Sequence, residues 1–232
     1  MPKKPVMVEV FAIKLLAPEA FTGVRDSLLR LLPPLSEEKI NRYVRPVDTQ
    51  RSLLGELMVR TILGRRLQVA GDSLVIDYSD KGKPHLKHHP GIHFNISHSG
   101  QWVVCAIAGQ PVGIDVEVIR PNKMKIAQRF FSPEEYGDLM KKDENERIGY
   151  FFELWTLKES YLKALGKGLT LAMNSFTVSR SGGTFRIKTG DESVDCHLRL
   201  YELDEEHKAA VCAFEKDMKQ EVTVITLDGL MP

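Results

Sequence analysis

At 232 residues the chain has room for one large domain or two small ones, since a typical domain takes ~100 to 200 residues. Apolar residues make up 43% and charged residues 27%, which excludes a disordered or fibrous chain. Lysine plus arginine exceed aspartate plus glutamate by 32 to 31, so a net charge of +1 supplies no global field for nucleic acid or a membrane surface, and an anionic ligand needs a local basic cluster.

In chain order, Val6 to Leu15 alternates with many β-branched positions and predicts a strand, followed by a helix over Pro18 to Leu32 that Pro33-Pro34 ends. Ser36 stands as the N-cap of a second helix, and Asp48 to Arg66 as a long helix closed near Gly64. Leu74 to Tyr78 is a short strand running into the turn around Gly82 and Lys83, and His93 to Ser97 a strand that breaks at Ser99-Gly100. Trp102 to Ala108 and Val112 to Ile119 flank Gly109-Gln-Pro111, the pattern of a hairpin. Met124 to Phe131 is helical, Ser132-Pro133-Glu134-Glu135 starts a capped helix, and Tyr150 to Leu165 is a further helix. Strands then follow at 176–179, 185–188, 197–202, 209–214 and 222–227, so the class is α+β without regular βαβ alternation.

Cys105, Cys196 and Cys212 are too few and too scattered for a disulfide framework or a zinc site, and Cys105 and Cys212 read as small apolar strand residues. The basic start Met1-Pro-Lys-Lys-Pro meets Glu9 and Lys14 before any apolar core of a signal peptide forms, and no stretch nears the ~20 apolar residues of a membrane span. The expected location is the cytoplasm.

Two short echoes suggest tandem halves. Val104-Cys105-Ala106 returns as Val211-Cys212-Ala213, and Leu63-Gly64-Arg-Arg-Leu67 resembles Leu165-Gly166-Lys-Gly-Leu169. The interruption at Arg120-Pro121-Asn122 places the expected boundary between residues 1–119 and 120–232.

Chemistry concentrates in three segments. On the strand Val112 to Val118, Asp115 and Glu117 share one face and Ile114, Val116 and Val118 the other. Paired carboxylates raise each other's pKa and need water or a cation; an oxygen-only set favours a hard ion such as magnesium. The bland reading is a solvated strand face. On the helix around Trp155, residues four apart form a stripe of Trp155, Glu159 and Lys163 with Lys158 on its edge, opposite Leu154, Leu157 and Tyr161. Alone this is an ordinary stabilising Glu and Lys pair; beside the acidic strand it reads as half of a metal-dependent site. His93 to Gly100 brings polar side chains and turn amides of the kind that contact anions, or simply a polar turn with a hydrogen-bonded histidine. Arg51 and Lys83 add positive charge, though each alone reads as a surface residue.

Taken together, Phe94-Asn-Ile-Ser97-His98-Ser-Gly100, Gly113-Ile114-Asp115-Val116-Glu117 and Phe152-Glu-Leu-Trp155-Thr-Leu-Lys158-Glu159-Ser-Tyr-Leu-Lys163 resemble the Sfp-type 4'-phosphopantetheinyl transferases, with Arg129-Phe-Phe-Ser-Pro-Glu-Glu135 in the matching place between the last two. The resemblance implies two similar lobes related by a pseudo-twofold axis with the active site in the cleft between them. It also implies transfer of phosphopantetheine from coenzyme A to a serine of an acyl or peptidyl carrier protein, releasing adenosine 3',5'-bisphosphate. By the same resemblance Asp115, Glu117 and Glu159 hold magnesium, and Arg51, Lys83, Ser97, His98, Lys158 and Lys163 line the nucleotide and phosphate pocket. Some members carry two lysines where the ungapped match here gives Ser36 and Lys39, so Lys39 stands as the remaining contact to the 3'-phosphate. Lys163 would stabilise the charge that grows during transfer, and Glu159 or, second, Glu135 would take the serine proton.

The carrier is expected to dock on Arg120 to Phe131, which supplies Lys123, Met124, Lys125, Arg129 and Phe131. A monomer is expected, since one chain can build both sides of the cleft. Two other readings remain: a magnesium-dependent nuclease, disfavoured by the lack of basic excess and by an acid-to-lysine spacing of four, and a binding module that lost activity, disfavoured by the intact acids and Lys163.

Overall fold

The computed structural model describes residues 7–231. The expectations resting on Met1 to Val6 lie outside them. The first half contains β1 (Val8–Lys14), α1 (Pro18–Leu29), α2 (Pro34–Asn41), α3 (Pro46–Leu67), the short pair β2 (Ile76–Tyr78) and β3 (Pro84–Leu86), then β4 (His93–Ser99) and β5 (Trp102–Ala108). The second repeats that order with β6 (Val112–Val118), a 3-10 segment (Pro121–Ile126), α4 (Ala127–Phe130), α5 (Pro133–Lys141), α6 (Glu144–Leu165), the pair β7 (Thr177–Ser181) and β8 (Thr184–Thr189), β9 (Glu192–Tyr201) and β10 (His207–Ala213). A last strand, β11 (Met218–Val224), has no counterpart in the first half.

The strands form sheets of order β11-β1-β5-β4 and β6-β10-β9-β8-β7, with β2-β3 apart. Every pairing is antiparallel except β1 with β11. The strand alternation explains the layering. Val103, Cys105 and Ile107 of β5 face outward into a core with Leu53, Leu57 and Met58 of α3. The intervening Val104, Ala106 and Ala108 face inward and meet Val112, Ile114 and Val116 of β6 and Val211 of β10 between the sheets. Phe151, Leu154, Leu157 and Tyr161 of α6 cover the outer face of the second sheet with Ala210 and Cys212. The apolar helix face read from the sequence is thus buried, and all three cysteines are buried thiols.

Several expectations are corrected. Gly109-Gln-Pro111 does not close a hairpin: β5 pairs with β1 and β4, whereas β6 crosses to the second sheet and pairs with β10. The chain therefore changes sheet at 109–111, which puts β6 in one sheet with the strands that follow it. Ser36 does not cap α2, which starts at Pro34; its hydroxyl accepts from Arg60 at 3.3 Å. Gly64 lies inside α3, and Gln68 in left-handed backbone (φ 57°) ends that helix. Met124 falls in the 3-10 segment, and only Ala127–Phe130 is α-helical. The Ser132 capping box is present as expected, with Glu135 completing it. Among the described residues no helix is long and apolar enough to cross a membrane.

Candidate active site

The two lobes meet where edge strand β4 runs beside edge strand β6. The alternate residues Asn95, Ser97 and Ser99 turn their oxygens to β6 and accept from the amides of Ile114 (2.9 Å), Val116 (3.3 Å) and Val118 (3.1 Å). Side chains thus satisfy an edge that backbone pairing leaves open. The same hydroxyls reach the acids: Ser97 donates to Asp115 Oδ1 at 3.0 Å and Ser99 to Glu117 Oε2 at 3.1 Å.

Helix α6 lies directly on this strand because Gly113 has no side chain. A β-carbon there would sit 2.0 Å from the Ser160 carbonyl oxygen and 2.3 Å from the Ala164 nitrogen. The close approach carries Lys163 to the acids, where its ammonium donates to Asp115 Oδ1 at 2.6 Å and to Ser97 Oγ at 2.9 Å. Burial raises the Asp115 pKa; Lys163 opposes that rise and Glu117 adds to it. Burial also raises the Glu159 pKa, reinforced by Asp115, while Lys163 pulls it down. The three carboxylates therefore feel one another's charge.

They do not form a ready-made metal cage, for among the described residues no three ligating side chains converge. Glu117 Oε1 is 3.2 Å from the Lys123 ammonium, and Asp115 Oδ1 is taken by Lys163 and Ser97. Asp115 Oδ2, however, is buried without a hydrogen-bond partner. An orphaned carboxylate oxygen beside two mutually repelling acids suits a hard divalent cation.

Two adjoining cavities open beside these residues and share Pro84 and Ile96. Glu159, Lys163, Asn95, Lys83 and Gly166 contribute to the larger, about 310 Å³. Lys39, Tyr43, Arg51, Tyr78 and His98 line the smaller, about 200 Å³. In the smaller cavity Arg51 donates to the Gly100 carbonyl at 2.6 Å, and Lys39 donates to the Tyr78 hydroxyl at 2.7 Å. Partial burial, then the Arg51 guanidinium, lower the His98 pKa.

Three expected site residues are differently employed. Lys158 does not face the phosphate pocket. It is fully buried, with its ammonium 2.7 Å from both Glu135 oxygens and from the Phe176 carbonyl, and burial holds its pKa down to about 8 in spite of that carboxylate. Glu135 also accepts from the amides of Ser132 (2.8 Å) and Val178 (2.6 Å), so it has neither solvent nor lone pairs to spare as a base. The Lys83 ammonium donates to the carbonyls of Val112 (3.0 Å), Lys163 (2.6 Å) and Ala164 (2.9 Å), tying the β2-β3 turn to the end of α6 at the wall of the larger cavity. In the expected docking stretch Phe131 is buried against Phe151, whereas Lys125 and Arg129 are exposed.

Asn95, Ser99 and the Lys123 contact to Glu117 escaped the sequence reading as site groups. The polar residues at every second position of 95–99 were the available signal.

Comparison with known proteins decides the family. The Sfp 4'-phosphopantetheinyl transferase of Bacillus subtilis (strain 168) is 39% identical over 89% of this chain and 92% of its own length. The chain belongs to the Sfp-type 4'-phosphopantetheinyl transferases. It is a transferase that moves phosphopantetheine to carrier proteins. The gsp transferase of Aneurinibacillus migulanus is 42% identical over 74% of this chain and 72% of that protein, and psf-1 of Bacillus pumilus 35% identical over 97% of each. The family models "4'-phosphopantetheinyl transferase, N-terminal" and "4'-phosphopantetheinyl transferase superfamily" match residues 24–111 and 111–212. They meet where this Sfp-type chain changes sheet. Among solved structures, the holo-(acyl-carrier-protein) synthase from Bacillus anthracis str. Ames in complex with CoA (3',5'-ADP) aligns at a TM-score of 0.39 and 22% identity over 44% of this chain and 92% of that one, a likeness too slight to argue from.

Proposed function

We propose that this chain transfers the 4'-phosphopantetheine of coenzyme A to a serine hydroxyl of an acyl or peptidyl carrier protein and releases adenosine 3',5'-bisphosphate. The observation that carries the reading is the Lys163 ammonium on Asp115, with Lys163 and Glu159 lining a cavity that continues into a basic one. Arg51, His98 and Lys39 bind the 3'-phosphate end of coenzyme A in the smaller cavity, and the diphosphate lies toward Lys163 and Ser97.

Asp115, Glu117 and Glu159 would hold Mg²⁺, in keeping with the unpartnered Asp115 Oδ2. When bound, the ion supplies positive charge to the diphosphate oxygens. The serine oxygen attacks the phosphorus on the pantetheine side, a new phosphorus–oxygen bond forms, and the bond to the bridging oxygen breaks. Lys163 donates to oxygens that gain charge in that step. Glu159, which lines the cavity, accepts the serine proton. Exposed Lys125 and Arg129 receive an acidic carrier helix, and one chain suffices because both lobes supply the cleft.

Incubation of the chain with coenzyme A, Mg²⁺ and an apo carrier, read by mass spectrometry, tests this. A carrier heavier by one phosphopantetheine is expected, and an unmodified carrier overturns the reading. Glu159→Gln should lower turnover by ~10²-fold or more, the scale of losing one electrostatic stabiliser.

A further inference from the structure

Gly100 sits at the tip of the turn between β4 and β5 with φ +52°, and a β-carbon there would lie 2.2 Å from His207 Nε2 and 3.1 Å from its Cε1. The imidazole of β10 thus fills the space beneath this glycine. It is buried, and its Nδ1 is 2.7 Å from Asp204 Oδ1. A carboxylate only accepts, so Nδ1 carries a proton, and Nε2 faces the turn, where it has no hydrogen-bond partner. Asp204 is itself fixed by Trp102 Nε1 at 2.7 Å and the Glu206 amide at 3.0 Å. Trp102 belongs to the first sheet and His207 to the second, so the triad crosses the lobe junction.

The turn resting on the ring serves both sides of the site. The Gly100 carbonyl accepts from Arg51, and the preceding residue Ser99 donates to Glu117 and accepts from the Val118 amide. We propose that His207, oriented by Asp204, is a positioning residue that sets the Ser99-Gly100 turn and so aligns the phosphate-binding Arg51 with the acid Glu117. It touches neither substrate nor metal. The inference rests on the proposed function for the identity of those ligands.

The test compares His207→Asn and Gly100→Ala, singly and combined, in the full chain. Asparagine keeps a donor for Asp204, so the fold is retained, but it leaves the space under Gly100 open. Coenzyme A affinity by calorimetry and Mn²⁺ affinity by electron paramagnetic resonance should both weaken about tenfold in His207→Asn, the low end of what outer-shell changes cost a metal site. The KM for the apo carrier should stay unchanged. Gly100→Ala should cost less in the His207→Asn background than in wild type, because the added methyl then has room. Wild-type affinities in His207→Asn, or strictly additive effects of the two changes, would overturn the inference. Lack of carrier modification by the wild-type chain would count against the proposed function and leave these two binding measurements standing as the test of His207.

Discussion

A carboxylate that accepts from two amides and a lysine ammonium has its lone pairs committed, and Glu135 is in that state, whereas Glu159 borders an open cavity. Breaking a buried ion pair from one side leaves the other charge stranded, at a cost of about 3 to 5 kcal/mol, while replacing both partners by apolar groups is often neutral. Lys158→Met should therefore lower the urea midpoint strongly, and Lys158→Met combined with Glu135→Leu should recover only part of it, because the Ser132 and Val178 amides and the Phe176 carbonyl then lack partners, and still modify the carrier. An inactive but stable double variant would return Glu135 to the list of bases. His98 gives a second expectation. Its pKa is lowered in the free chain, so as pH falls the imidazole protonates later than an ordinary histidine, and its contribution to stability, present at higher pH, is lost as the unfolded chain takes up the proton first. A bound phosphate favours the imidazolium, so an NMR titration should show the His98 midpoint moving up on adding coenzyme A; no movement would place the phosphate elsewhere. The residue pairing itself was not legible in the sequence. Lys158 and Lys163 sit on one helix and Glu135 and Glu159 are both glutamates, and only the packing of α5 and β7 against α6 decides which are sealed.

At the scale of elements, the contact of α6 with β6 depends on one missing side chain. Gly113→Ala would drive a methyl into the Ser160 carbonyl and lift the helix, with overpacking of this kind costing about 1 to 3 kcal/mol. Because Lys163 and Glu159 ride on that helix, the expected kinetic signature is a kcat loss larger than the stability loss, measured beside the thermal midpoint. Asn95→Ala should leave the buried Ile114 amide unpaired and cost about 1 to 3 kcal/mol in denaturant unfolding. Strand and helix positions were legible in part: β5 is a continuous β-rich apolar run between Gly100 and Gly109, and α6 ends at Gly166 as read, but it begins at Glu144, before the apolar residues that marked it. Their partners were less so. Gly109-Gln-Pro111 carries the same turn chemistry whether the next strand folds back or crosses to another sheet, and the choice is made by the inward faces of β5 and β6 closing on one another.

For the whole molecule, the order of elements repeats as the echoes of Val104-Cys105-Ala106 and Val211-Cys212-Ala213 suggest, and the two segments lie in the interior strands β5 and β10 of their sheets. The halves are nevertheless not independent. β6 hands its open edge to β4 side chains, Lys83 of the first half holds the end of α6, and β11 completes the first sheet beside β1. A chain ending at residue 216 should accordingly melt lower and self-associate through the exposed β1 edge, which size-exclusion chromatography would show; a monomer of unchanged melting point would make β11 dispensable.

The parallel pairing of β1 with β11 joins residues some two hundred positions apart, Val8 with Met218 and Ala12 with Val224. During synthesis the first strand therefore leaves the ribosome long before its neighbour exists. The amino-terminal sheet stays unfinished until the chain has been made past Val224, and its closure is a late, long-range event of the kind that slows folding. Nascent chains stalled before residue 218 should remain open to proteolysis near β1 even when the helices around it are already protected.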